Sequence, residues 1–139
     1  MNNVLRPFHL AFPVRDINEA RDWYVDILGC SVGRESEEWI DFNMFGHQVV
    51  AHLSKNSTSN STNEVDGHQV PTRHFGVILS SSEWDSLRDK LSDKISFLIA
   101  PNVRFEGTSG EQKTMFFKDP SGNCLEFKSF YDDKMIFDK

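Results

Sequence analysis

The stretch Met115–Phe127, "MFFKDPSGNCLEF", decides how this chain is read. Two apolar runs flank Asp119-Pro120-Ser121-Gly122, a cluster of turn formers, so the stretch reads as a β-hairpin. Its second arm carries Glu126 between Leu125 and Phe127. A carboxylate in such a run is costly to bury unless a cation or hydrogen bonds meet it. What meets it has to come from elsewhere in the chain.

Upstream of the hairpin, "ISFLIAPNVRF" is a further strand-like run. Before it, Ser81 or Ser82 starts a helix bearing Trp84, Leu87 and Leu91 at helical spacing. Before that, "TRHFGVILS" reads as a strand with Phe75, Val77 and Leu79 on one face. The order is strand, helix, then three strands. The first half has the same grammar. Its opening strand, 7–14, places Phe8, Leu10 and Phe12 on one face. Asp16 then caps a helix carrying Ala20, Trp23, Tyr24, Ile27 and Leu28, and Gly29 ends it. "CSVGRE", "EEWIDFNMF" and "HQVVAHL" follow as strands. Between the halves lies "SKNSTSNSTNEVDGHQV", residues 54–70, whose Ser, Thr and Asn content predicts an exposed, mobile linker. The expectation is an α+β fold in one domain over 1–139. It comprises two βαβββ modules, about 5–53 and 71–130, and a tail over 131–139.

Composition narrows the function classes. At 139 residues, with 38% hydrophobic and 26% charged residues, the chain suits one packed domain. A formal charge of −6 argues against a nucleic-acid partner. No apolar run approaches bilayer length, and "MNNVLRPF" lacks the sections of a signal peptide, so a cytoplasmic protein without membrane association is expected. Cys30 and Cys124 form no CxxC pair, which disfavours a disulfide framework or a structural zinc site. Sequons at Asn56 and Asn60 carry little meaning without a secretory route.

Four polar residues stand out against the apolar strands. Aligning the halves sets His9 opposite His74, and each shares a face with a small residue, Ala11 or Gly76, that leaves room beside the imidazole. "VVAHL" carries His52 as "NCLEF" carries Glu126. Any one of these is ordinarily a hydrogen-bonded structural residue. Four on matching positions of a duplicated unit point to a metal site. His47, in a turn, and His68, at the end of the polar segment, read as solvated. Trp39 and Phe42 read as sheet packing, Trp39 being also placed to line a pocket mouth. Arg104 reads as a solvated loop residue able to pair with an anionic substrate. Cys124, two residues before Glu126, points into the same cup as a small packing residue.

With these residues assembled, the sequence resembles the vicinal oxygen chelate superfamily, which holds glyoxalase I, extradiol dioxygenases and bleomycin-resistance proteins. The likeness rests on "FHLAFPVRDINEARDWYVDILG", "HFGVIL" and above all "MFFKDPSGNCLEF". It implies paired modules forming a curved, cup-like mixed sheet around a divalent metal, and a homodimer. It implies His9, His74 and Glu126 as metal ligands. His52 matches the remaining corner. In glyoxalase-like members that corner holds a fourth ligand, usually glutamate or glutamine; in extradiol dioxygenases its histidine is an acid/base at the substrate.

Two histidines and one carboxylate form the facial triad that suits non-haem Fe(II), and a neutral histidine beside it can take and return a substrate proton. The leading expectation is thus a dioxygenase-like oxidoreductase with His52 as base and Fe(II) as cofactor, acting on a small substrate with vicinal oxygens. Mn, Zn, Ni and Co are the alternative metals. A glyoxalase-type lyase or isomerase with a non-redox metal is the second reading, and a metal-free bleomycin-resistance-like binding protein the third. Phe116 stands where extradiol enzymes usually place a tyrosine, "EGTSGEQ" holds no match for their additional histidine, and no glutathione-binding set of arginines is evident.

Overall fold

The computed structural model describes residues 4–55 and 61–139. Both sequons, at Asn56 and Asn60, lie outside the described residues. The chain divides into two units between residues 58 and 59, taken in turn.

The first unit runs β1 (His9–Val14), α1 (Ile17–Asp22), β2 (Ser31–Glu35), β3 (Trp39–Met44) and β4 (His47–Leu53). Asp16 caps α1, its Oδ1 accepting from the Glu19 amide at 2.7 Å. The helix widens into a π turn over Trp23–Ile27 and stops at Gly29, whose φ of +84° suits a residue without a Cβ. The sheet order is β1-β4-β3-β2, with β1 parallel to β4 and the other pairs antiparallel. Strand alternation sends Phe12, Val14, Ile40, Phe42 and Ala51 into the core. There Tyr24 stacks on Phe42 with ring centres 4.9 Å apart. The opposite sheet face carries His9, Ala11 and Pro13 with their register partners Gln48, Val50 and His52. Trp39, Asp41 and Asn43 join them from β3.

The second unit departs from expectation at its start. The segment read as a linker contains a hairpin, β5 (Thr62–Val65) and β6 (His68–Pro71). Its turn is Asp66-Gly67, both at positive φ (46° and 80°), the two-residue turn whose twist matches a hairpin. Val65 and Val70 pack this hairpin onto Ile99 and Phe116, which offsets the polar composition. Then come α2 (Ser81–Ser92), β7 (Phe97–Arg104), β8 (Gln112–Lys118) and β9 (Cys124–Phe130). The helix starts at Ser81, as read from sequence, and Ser80 caps it in a capping box with Glu83. Trp84 anchors α2 to β9 by donating from Nε1 to the Phe127 carbonyl at 2.8 Å.

"TRHFGVILS" does not form a regular strand. It touches β9 through two parallel bridges, Phe75 with Leu125 and Ile78 with Lys128. Gly76 explains the close approach: a Cβ there would fall 1.6 Å from the Glu126 carbonyl oxygen. Each unit therefore has βαβββ order with its first run parallel to its last strand, the second in looser form. Among the described residues no helix is long and apolar enough to cross a membrane.

Candidate functional site

The turn at Asp119–Asn123 sets the register on which the second unit's site depends. Asp119 Oδ1 accepts from the amides of Ser121 and Asn123 at 2.9 and 2.8 Å, and its Oδ2 from the Asn123 side chain at 2.8 Å. β8 and β9 consequently pair Phe116 with Glu126, Thr114 with Lys128 and Gln112 with Phe130, placing all six on one face. Met115, Phe117, Leu125 and Phe127 take the other face, within the core.

Glu126 is buried, yet its carboxylate is satisfied. Thr114 Oγ1 donates to Oε2, and His74 Nε2 lies 3.3 Å from Oε1. Burial alone would raise Glu126; the hydrogen bonds from His74 and Thr114, with the charge of Lys128, outweigh it and hold the carboxyl below its usual range. His74 moves the other way, raised chiefly by its bond to Glu126 against a smaller opposing effect of burial.

The His74 ring is oriented by its other nitrogen. Nδ1 lies 2.7 Å from the Pro71 carbonyl oxygen, which can only accept, so Nδ1 carries a proton. In the neutral ring Nε2 is then an unprotonated lone pair facing a carboxylate. Two electron-rich atoms at that distance call for a cation between them, a proton or a metal. A backbone carbonyl behind Nδ1 is also how metal-ligating imidazoles are commonly held.

His9 is held alike in the first unit. Its Nδ1 lies 2.8 Å from Gln48 Oε1, while Gln48 Nε2 faces Asp41 Oδ2 at 3.5 Å, so the amide oxygen accepts and His9 Nε2 is left to act outward. His52 lies on the same face but four residues further along, about 13 Å of strand at 3.3 Å per residue. The registers also correct its assignment as the counterpart of Glu126. His9 pairs with Gln48 and Ala11 with Val50. In the second unit the Phe75–Leu125 bridge sets Gly76, the counterpart of Ala11, against Glu126. The matching corner of the first unit is therefore Val50, and His52 corresponds to Lys128. Within either unit taken alone, no three His, Cys, Asp or Glu side chains among the described residues converge as a metal cluster.

Other sequence readings change too. His47 is structural, its Nδ1 accepting from the Phe8 amide at 2.9 Å. His68 is half-buried on β6. Cys124 shares the face of Glu126 as expected, and burial pushes its thiol up, away from the reactive thiolate. Arg104 is neither exposed nor in a loop: it ends β7 and is only 6% exposed.

Two βαβββ units, each bearing a histidine on its first run and the second a buried carboxylate on its last strand, define the class of scaffold to which the chain belongs. The chain belongs to the Glyoxalase/Bleomycin resistance protein/Dioxygenase superfamily, whose family model matches residues 6–127. Among solved structures it is similar to a glyoxalase/bleomycin resistance protein/dioxygenase from Alicyclobacillus acidocaldarius, at 39% identity and a TM-score of 0.82, over 99% of this chain and 100% of that one. A genomically encoded fosfomycin resistance protein from Listeria monocytogenes shares the fold at 13% identity and a TM-score of 0.69, over 95% of this chain and 98% of that one. A virulence protein from Salmonella typhimurium does so at 20% identity and 0.61, over 91% and 98%. No curated protein matches the chain.

Proposed function

We propose that the protein is a metal-dependent enzyme of this superfamily, dioxygenase-like in type, acting on a small substrate that offers two adjacent oxygens. His74 and Glu126 hold the metal together with His9, drawn from the first module of the same chain or of a second copy in a homodimer. The observation that carries this reading is His74 Nε2 set against the buried Glu126 Oε1 at 3.3 Å, with the Pro71 carbonyl holding the other ring nitrogen at 2.7 Å. The donor set fits a divalent ion, Fe(II) ahead of Mn, Zn, Ni or Co, because two imidazoles and a carboxylate leave positions open for substrate. When bound, the ion polarises the substrate oxygens and, as iron, supports oxygen chemistry. His52 serves as base, taking a proton from a substrate hydroxyl. Its distance along the sheet from His9 suits work across a substrate better than shared ligation.

Anaerobic loading with Fe(II), followed by oxygen uptake on a panel of catechols, tests the reading. His9→Ala, His74→Ala and Glu126→Ala should each lose the metal. His52→Ala should keep it and lose about 10²-fold or more in turnover. Loss of metal by His52→Ala as complete as that of His9→Ala would make residue 52 a ligand. Purified protein with no affinity for any divalent ion would leave only a binding protein.

Phe116 favours a second reading. It is fully buried, with its ring edge-on to His74 at 5.2 Å, and it offers no hydroxyl to a substrate. A glyoxalase-type lyase or isomerase needs none there. Turnover of a methylglyoxal–thiol adduct with nickel or zinc, without oxygen uptake, would select that chemistry.

A further inference from the structure

Arg104 is the charged residue on the second unit's functional face that nothing above employs. It is buried, and two of its nitrogens, Nε and Nη2, have no hydrogen-bond acceptor among the described residues. A guanidinium cannot shed its charge by losing a proton, so such burial is unfavourable until an acceptor arrives. The other buried polar groups on this face are satisfied: Thr114 and Glu126 bond to one another, and Glu126 also meets His74.

The neighbours give the unpaired cation a direction. Its guanidinium carbon lies 5.1 Å from the centre of the Phe116 ring, and the His74 ring lies 5.2 Å from the same centre, edge-on. Arg104 and the His74–Glu126 pair are thus neighbours of one aromatic side chain, their separation bounded by those two distances. Arg104 pairs in register with Gln112, on the same face as Thr114, Phe116 and Glu126. Lys128 adds a second cation to that face. The chain as a whole carries −6, so an anionic ligand would find its attraction here rather than in the overall field.

We propose that Arg104 is a specificity-determining residue that receives an oxyanion of the substrate, a carboxylate or a phosphate group, on its Nε–Nη2 edge. Two parallel N–H donors match two oxygens of either group. The substrate's anionic end then lies beside Phe116, and its reacting end lies at His74 and Glu126. Placing the reacting end rests on the enzyme reading above; the anion site itself does not.

Thermal unfolding of the metal-free protein tests the site. Wild type, Arg104→Met and Arg104→Lys are compared in chloride, then in sodium benzoate or sodium phosphate at matched ionic strength. In chloride, Arg104→Met should melt at or above wild type, since it removes an unpaired buried charge. Saturating benzoate or phosphate should raise the wild-type melting temperature by several degrees and leave Arg104→Met unmoved. Arg104→Lys, which keeps the charge without the planar fork, should bind about tenfold more weakly. Whichever anion acts names the group. Equal shifts in wild type and Arg104→Met, or no shift with either anion, would overturn the proposal. So would a large destabilisation of Arg104→Met in chloride, which would reveal a structural partner. Zinc titration of the same proteins separates the two readings: anion binding without zinc binding removes the metal centre and leaves the Arg104 site standing.

Discussion

His74 and Glu126 form a coupled pair whose protons give the sharpest residue-scale prediction. His74 is raised from its ordinary 6.5, so in the metal-free protein its contribution to stability is complete below that value and fades as pH climbs through the elevated folded one. Glu126 is lowered from its ordinary 4.5, so its contribution is complete above that value and fades as pH falls through the lowered folded one. Both act together between 4.5 and 6.5. The melting-temperature difference between wild type and Glu126→Gln should therefore be greatest in that window and shrink on either side. A difference that keeps growing above neutrality would mean the pair is not held by the His74 proton. Sequence made these two residues visible because each is a polar side chain in an apolar run. Arg104 was hidden, since an arginine's burial depends on where its strand ends and what the neighbouring strand presents. Val50 was hidden as well: parallel pairing between β1 and β4 sets which residues face one another, and nothing local to either strand reports that register.

At the scale of elements, the loosest segment is the most constrained. Residues 75–79 follow β9 with few bonds, among them Glu126 N–H to the Phe75 carbonyl at 2.9 Å and Leu79 N–H to the Lys128 carbonyl at 2.8 Å. Gly76 lets them come that close. Gly76→Ala should force the segment off β9 and cost about 1–3 kcal/mol or more, as overpacking does. It should also carry His74 away from Glu126, so zinc affinity should fall along with stability. Ser80→Ala is the contrast: losing a helix cap should cost about 1 kcal/mol and leave zinc affinity alone. Denaturant unfolding with zinc titration on both variants distinguishes the two. Equal zinc affinity in Gly76→Ala and wild type would show that the approach to β9 does not position His74. The modules were legible because helical and alternating periodicities are strong over these lengths. The β5–β6 hairpin was not, although Asp66-Gly67 is a hairpin turn signal: a Ser/Thr/Asn-rich composition outweighed it, and the packing of Val65 and Val70 is long-range.

For the whole molecule, the proposed ligand set makes metal stoichiometry the decisive count. Each chain contains one His9, one His74 and one Glu126, so exchange of modules between two copies changes which chains build a centre but not how many centres form. Metal titration followed by the fluorescence of Trp23, Trp39 and Trp84 should saturate at one equivalent per chain in either arrangement. His9→Ala and Glu126→Ala should each bind none when alone. Mixing them after unfolding and refolding then reads the arrangement. Centres built across two copies leave one intact centre in each mixed dimer, because its sound first module meets its sound second module. Centres built within a chain leave none, since every chain lacks one ligand. Saturation at half an equivalent per wild-type chain would contradict this ligand set, because two chains would then share a single ion.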